Sequence, residues 1–222
     1  MLKLKQQTFW KIIVSCLLSI TIYSNITIGD TSVTPSIEAT IDLEFNQLNN
    51  TLVSMVKDSN NLRKDGPKIF KVIVDWLQQN HKKRLNDWKN AADKDHANSQ
   101  FFLGIYSLII KNDKKAADEW LTKSAQNGNA WSQLGIGLRR SSRLRKGLTE
   151  EGFQLIYKSA QQGNILAQYI VSIFFATGKG TKQDMDTAKK WLKKSANQGF
   201  KAAQRLVNKP DLKPRDFYMS PR

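Results

Sequence analysis

The side chains that could do chemistry are few and widely spaced in this 222-residue chain. A single cysteine, Cys16, excludes an intramolecular disulfide framework and a cysteine-based zinc finger, and two histidines, His81 and His96, leave little for a metal site. The Gly-Lys-Gly-Thr-Lys segment at 178–182 has the wrong glycine spacing for a phosphate loop, and no strand pattern precedes it. We therefore expect no catalytic residue, no cofactor and no bound metal, and we predict that the protein is not an enzyme.

The charge of the chain is strongly basic. Lysine and arginine total 35 against 19 acidic residues, which gives a formal net charge of +16. Any partner met through charge is therefore acidic: nucleic acid, an anionic membrane or an acidic protein face. The densest run is 139–146, which contains Arg139, Arg140, Arg143, Arg145 and Lys146. We predict that this run contacts an acidic protein. A solvated charge run is the alternative, and nucleic acid is not expected because export would separate the chain from it.

Export is predicted by residues 1–29. This segment carries three lysines and no acid, and positions 12–29 have no charge, with a nearly apolar stretch at 12–23. A basic start, a short apolar run and then small polar residues are typical of a cleaved secretory signal. Two alternatives stay open, an uncleaved membrane anchor and a lipoprotein modified at Cys16. We expect a periplasmic or secreted protein, whose mature chain has a net charge of +13 and which touches a membrane only through residues 1–29 if they are retained.

An internal repeat organises the rest of the chain. Four alanines, at 92, 125, 160 and 196, are each followed eight positions later by glutamine, at 100, 133, 168 and 204. Asp95, Gly128, Gly163 and Gly199 stand three positions after these alanines. Glycine stops a helix by entering the left-handed region, and apolar residues three or four apart mark a helix face before each stop. Each unit is thus a helical hairpin too thin to bury its own apolar face, so we predict an all-α solenoid with a right-handed superhelix.

The sequence of the last unit carries a family resemblance. Residues 167–199 read Ala-Gln-Tyr-x₈-Gly-x-Gly-x₃-Asp-x₃-Ala-x₂-Trp-x₂-Lys-Ser-Ala-x-Gln-Gly, which resembles the Sel-one-like repeat family, relatives of tetratricopeptide repeats. The resemblance implies an interaction scaffold without shared catalytic residues. We place repeats at about 67–96, 97–129, 130–164 and 165–200, with a half-repeat at 201–208.

The segments that flank the clear repeats are predicted as follows. Residues 30–66 contain an N-terminal cap helix, with an apolar seam from Ile41 to Met55, and a polar linker at 58–66. Residues 67–94 form two helices, a degenerate hairpin that begins the solenoid at 67–208. The tail, 209–222, contains three prolines and no helix pattern, so we expect it to be extended.

A second apolar face on the first helix of each unit is the candidate binding surface. It contains Phe102, Tyr106, Trp131, Leu138, Ile170 and Phe174. One interpretation is that these side chains pack on an adjacent hairpin or on helix 37–57. The other is an open groove with aromatic anchors for a partner, bordered by Arg139, Arg140, Arg143 and Arg145.

Together these features predict an exported, non-enzymatic protein-binding scaffold of the bacterial envelope, whose partner is a protein with an acidic face. A more specific alternative, implied by the resemblance, is a periplasmic immunity protein that neutralises a delivered antibacterial toxin. A hydrolase acting on cell-wall or antibiotic substrates is the enzymatic alternative, for which the sequence offers no nucleophile or base.

Overall fold

The computed structural model describes residues 35–59, 62–143 and 149–217, without the side chains of 62–64 and 141–143. The chain divides after Pro35, and the helices described below belong to the second unit, Ser36–Arg222. The predicted signal at 1–29 lies outside the described residues.

The described part of the chain is all-α, with nine α-helices, one short 3-10 helix and no strand. The α-helices are α1 (Ile37–Asp58), α2 (Leu62–Ala92), α3 (Ala97–Ile109), α4 (Lys114–Gln126), α5 (Ala130–Arg143), α6 (Glu150–Gln161), α7 (Ile165–Thr177), α8 (Met185–Asn197) and α9 (Lys201–Val207), and the 3-10 helix is Pro214–Phe217. Helices α3 and α4, α5 and α6, and α7 and α8 pair as hairpins that stack in chain order. The predicted all-α solenoid is confirmed.

Left-handed residues end the helices where the repeat pattern predicted them. Gly128, Gly163 and Gly199 have φ angles of 101°, 89° and 97°. Asp95 occupies the same column and also has a positive φ, 61°, which is uncommon for a residue with a side chain. Its carboxylate accepts hydrogen bonds from Gln100 (3.3 Å) and Asn127 (3.2 Å), so local bonds stabilise the turn that glycine makes elsewhere.

The alanine–glutamine spacing corresponds to one repeated hydrogen bond. In each unit the glutamine Nε2 donates to the carbonyl of the alanine eight positions earlier. That alanine is the last alanine of the preceding helix. The bonds are Gln100 to Ala92 (3.1 Å), Gln133 to Ala125 (3.1 Å), Gln168 to Ala160 (3.3 Å) and Gln204 to Ala196 (3.2 Å). Each glutamine therefore ties its hairpin to the previous one.

The same glutamines also close their own hairpins. The oxygen Oε1 accepts a bond from the amide just before the left-handed glycine, in the pairs Asn127–Gln100 (2.9 Å), Gln162–Gln133 (2.8 Å) and Gln198–Gln168 (2.7 Å). A serine of each second helix adds a bond to the carbonyl that starts the first helix: Ser124 to Ala97 (2.8 Å), Ser159 to Ala130 (2.7 Å) and Ser195 to Ile165 (2.9 Å). Buried polar groups are thereby satisfied at each joint.

Helix α2 corrects the predicted hairpin at 67–96. It is one continuous helix of 31 residues, with Pro67 near its start, and it also replaces most of the predicted linker. The residues between the two predicted helices include no glycine or proline to stop the first one. Instead Asn80 donates to the Trp76 carbonyl (2.7 Å), and Arg84 bonds Glu44 (2.7 Å) and Asp87 (3.2 Å). His81, which lies within this helix, contacts the Leu77 carbonyl at 3.0 Å.

The tail was predicted to be extended, and its described part is instead folded back on the solenoid. Phe217 is buried in a cluster with Val56, Leu192 and Phe200. Asp216 accepts bonds from the Lys209 ammonium and from the Lys213 N–H, and these two bonds lower the pKa of the Asp216 carboxyl. The last repeat would otherwise leave its apolar side in water, so this short segment caps the C-terminal end.

Helix α1 packs across the first helices of all three repeat hairpins through its apolar stripe. Ile41, Leu48, Leu52 and Val56 are each at most 2% exposed. Near its start Phe45 packs edge-on against Phe101 and Phe102, at ring distances of 5.5 and 6.0 Å. In its middle Asn49 accepts a 2.7 Å hydrogen bond from the Trp131 indole, and at its end Val56 joins the cluster of Ile165 and Phe200.

Acidic side chains along α1 meet basic and amide groups of the rest of the chain. The helix contains four acids and one lysine. Its contacts are Glu38 to Lys94 (3.3 Å), Asp42 to His96 (3.0 Å) and Asn98 (2.8 Å), Glu44 to Arg84 (2.7 Å) and Asp58 to Lys201 (3.3 Å). Helix α1 is therefore an acidic amphipathic helix that packs on a basic protein.

The first prediction concerns the buried glutamines. Replacing Gln133, which is 4% exposed, by leucine leaves the Gln162 amide without its acceptor. We expect a loss of about 1–3 kcal/mol in the free energy of unfolding, the usual cost of an unsatisfied buried polar group. Gln204→Leu is the matched control, because Gln204 is exposed and no amide of the described residues donates to it. Urea titrations should show a clearly smaller loss of unfolding free energy for the control. Equal losses would contradict the role given to the hydrogen bonds of the buried glutamines.

The second prediction concerns Trp131, which packs against all three apolar clusters of the described chain. Since α1 covers it, Trp131→Ala should remove about 3–5 kcal/mol of stability by opening a cavity. Leu138→Ala, on the same helix but 37% exposed, should change stability by no more than about 0.5 kcal/mol. Melting curves test both variants. A Trp131→Ala protein that melts like the parent would show that α1 does not pack there.

Candidate functional site

The predicted groove is filled by the chain itself at its first repeat. Phe102 is fully buried and Tyr106 is 9% exposed, so neither can contact a partner in this fold. Phe102 stacks on Trp76 (4.7 Å) and Trp88 (5.0 Å), both from α2. The two residues are corrected from binding positions to core positions. The reason is that α1 and α2 lie on this face, which is the first of the two interpretations of the apolar pattern.

The remaining predicted apolar residues are less deeply covered. Trp131, Ile170 and Phe174 are half-buried, and all three pack on the cluster that contains Leu134 and Val171. Phe174 also lies 6.3 Å from the ring of Phe153. Leu138 stays 37% exposed. Of the predicted set, only Leu138 thus presents a largely exposed apolar side chain in the described chain.

The arginines of the basic run have acidic partners within the protein. Arg139 pairs with Asp118 of α4, and Arg140 pairs with Glu151 of α6. Arg145 and the Arg143 side chain lie outside the described residues. The two described arginines therefore link neighbouring helices, and each keeps about a third of its side chain in solvent.

An apolar cleft of about 440 Å³ remains open between α3, α4 and α5. Its walls include Phe101, Ile105, Leu108, Leu121, Trp131 and Gly135, with Lys114 and Arg139 among the lining residues. Leu108 is 38% exposed in this cleft. The cleft adjoins the surface that α1 covers, because Phe101 and Trp131 contact both. We call it the open cleft, and its chemistry suits an apolar side chain flanked by carboxylates.

A second cleft, of about 550 Å³, lies between α1 and the N-terminal ends of α3, α5 and α7. Uncharged amide side chains dominate its lining: Asn46, Asn49, Asn50, Asn98, Asn127, Asn129, Asn164, Gln162 and Gln198. Several of them bond within the protein, as in Asn98 to Asp42 (2.8 Å) and Asn129 to Asn98 (2.8 Å). The first bond holds α1 to α3 and the second holds α3 to the turn before α5, so this cleft is primarily a contact zone between α1 and the repeats.

Sequence reasoning missed Leu108 and Leu121 as lining residues of the open cleft. The signal available for Leu108 was its helical spacing from Phe101 and Ile105, seven and three positions earlier. Leu121 had a weaker signal. Its side chain fills the space left by the absent Cβ of Gly104, and this is a contact between two helices. A Cβ built on Gly104 would lie 2.5 Å from the Leu121 Cγ.

No group of three or more His, Cys, Asp or Glu side chains that could hold a metal ion occurs in the described ranges. None of the described helices combines the length and the apolarity needed to span a bilayer.

Comparisons with known proteins agree with this architecture. A sequence model described as "Sel1 repeat" matches residues 97–129 and 165–200. The crystal structure of a Sel1 repeat protein from Oxalobacter formigenes is 27% identical over 56% of this chain and 97% of its own, with a TM-score of 0.52. No curated protein matches the chain.

A second solved structure is similar in fold. It is a protective antigen present in uropathogenic Escherichia coli strains that displays an SLR fold, with 19% identity and a TM-score of 0.50. The match covers 86% of this chain, which spans half the length of that antigen. With two repeats matched in sequence and the hairpin stack matched in structure, residues 97–129 and 165–200 are similar to Sel1 repeats, and the described chain has the Sel1-like repeat fold.

Proposed function

We propose that this protein is an exported protein-binding scaffold that receives an acidic, amphipathic segment of a partner in the open cleft. The class is supported by the family, since Sel1 repeat proteins are in general scaffolds for other proteins. The open cleft supports the surface, because it combines an apolar floor with Lys114 and Arg139. Arg139 also pairs with Asp118, so a partner carboxylate approaches an arginine already held in place.

The observation that carries the proposal is the way α1 binds. This helix is acidic and amphipathic, and it packs its apolar stripe on the first helices while its acids meet Lys94, Arg84 and Lys201. The first-helix surface thus already accepts a segment of this chemistry within the molecule. The open cleft adjoins that surface, because Phe101 and Trp131 line the cleft and also contact α1. A partner segment of the same kind is the ligand that fits it.

Export is the second part of the proposal and is supported by the sequence alone, through the basic start and the uncharged run at 12–29. Arg139, which lines the open cleft, would act on the rate of encounter with an acidic partner.

The third prediction tests the open cleft in the cell that makes the protein. A photo-crosslinking residue at position 108 should give a discrete adduct with one partner protein, identified by mass spectrometry. The matched control is position 43, where Leu43 is 59% exposed on α1 but outside the cleft. With that partner purified, Leu108→Glu should weaken binding by about 2 kcal/mol, as expected for an interface anchor, and Leu43→Glu should not. Equal adducts or equal affinities at the two positions would contradict the proposal.

The fourth prediction tests export. The intact mass of the protein isolated from the cell envelope should lack the first 24–29 residues, which correspond to the end of the apolar run in the sequence. Substituting aspartate at Leu17 and Leu18 should abolish that processing and retain the chain in the cytosol. A full-length, cytosolic parent protein would refute export and leave the binding proposal to be judged on its own test.

A further inference from the structure

A third pocket, separate from the two clefts described above, lies at the C-terminal end of the solenoid. It has a volume of about 550 Å³ and is formed by α8, the end of α9 and the tail. Its lining is Lys189, Leu192, Lys193, Val207, Lys209, Asp211, Leu212 and Lys213. Four lysines therefore surround an apolar floor on which Val207 remains 38% exposed. We call it the lysine pocket.

The pocket is built by the folded tail. Lys209 and the Lys213 backbone both bond Asp216, and Phe217 is anchored in the core, so residues 209–213 are held across from α8. Leu212 packs on the same core cluster. The walls thus exist before any ligand binds, which reduces the ordering cost of binding.

Charge at this end of the molecule is unbalanced. Positions 178–217 contain eleven basic and four acidic residues. Of the four pocket lysines, Lys209 pairs with Asp216, whereas Lys189, Lys193 and Lys213 have no ion pair within the described part of the chain. Asp211 is the one carboxylate in the lining. The pocket therefore carries a surplus of ammonium groups over an apolar surface.

We propose that the lysine pocket binds an acidic peptide segment of a partner protein. Carboxylates of the segment pair with Lys189 and Lys193, which are four positions apart and thus neighbours on one face of α8. An apolar side chain of the segment rests on Val207 and Leu212. The proposal adds a second contact surface to the scaffold and does not depend on the open cleft.

The recessed shape favours a peptide over a membrane surface. A bilayer presents a flat plane of head groups, to which a broad basic patch without a pocket is sufficient. Here the lysines line a pocket of about 550 Å³ together with the apolar side chains of Leu192, Val207 and Leu212. A peptide that alternates acidic and apolar residues matches both features.

The test uses the full chain and three probes: a short synthetic peptide of Glu and Asp interrupted by Leu and Phe, an oligo-glutamate peptide, and phosphatidylglycerol vesicles. Lys189→Gln with Lys193→Gln should weaken the first peptide about tenfold at low salt. The matched control, Lys82→Gln with Lys83→Gln, removes the same charge from exposed positions of α2 and should change affinity less than about twofold.

A second variant separates a pocket from a mere charge effect. Val207→Ser should weaken the Leu- and Phe-containing peptide but leave oligo-glutamate binding unchanged, because only the first peptide uses the apolar floor. Unchanged melting temperatures show that the variants are folded. Equal losses for the two lysine pairs, no binding of the mixed peptide, or vesicle binding that alone depends on Lys189 and Lys193 would each overturn the proposal.

Discussion

Buried glutamines on the first helices are the interaction on which this fold depends. Each donates to the last alanine of the preceding helix and, in the three full repeats, accepts from the amide that closes its own hairpin. A stack of thin hairpins has no sheet or central core to fix its register, so neighbouring units need directional bonds as well as apolar contact. One glutamine side chain thus satisfies two polar groups from different helices. It holds the two helices of its own hairpin together and also positions that hairpin against the preceding helix.

These glutamine bonds lie within and between the hairpins, so the first helices also carry apolar side chains that face away from their own hairpin. That apolar surface must be covered. The chain covers most of it with α1, whose acids suit the basic repeats, and closes the far end with the anchored Phe217. The open cleft adjoins this cover at Phe101 and Trp131, whereas the lysine pocket is formed by α8, α9 and the tail itself.

Much of this organisation was predictable from the sequence, and the reasons for the failures are physical. The repeats, the stops at Gly128, Gly163 and Gly199, and the faces of α8 follow from local rules of helix periodicity and capping. The hairpin predicted within α2 is wrong because no glycine or proline between Trp76 and Leu85 stops the helix. The burial of Phe102 depends on Trp76 and Trp88 of α2 and on Phe45 of α1, and that of Tyr106 involves His81 of α2; local pattern cannot assign such tertiary contacts. The prediction for the tail was wrong because its three prolines favour an extended segment, whereas the burial of Phe217 is a tertiary contact with Val56, Leu192 and Phe200.

The central claim is that α1 is an integral part of the solenoid rather than a detachable arm. Native-state hydrogen exchange measures this directly, residue by residue, on the full chain. If the claim holds, the amides of Leu48, Leu52 and Val56 exchange with the same free energy of opening as those of Ile105 and Val171 in the repeats. If those α1 amides exchange several kcal/mol more easily while the repeat amides stay protected, α1 opens independently and the first-helix groove is available to a partner along its whole length.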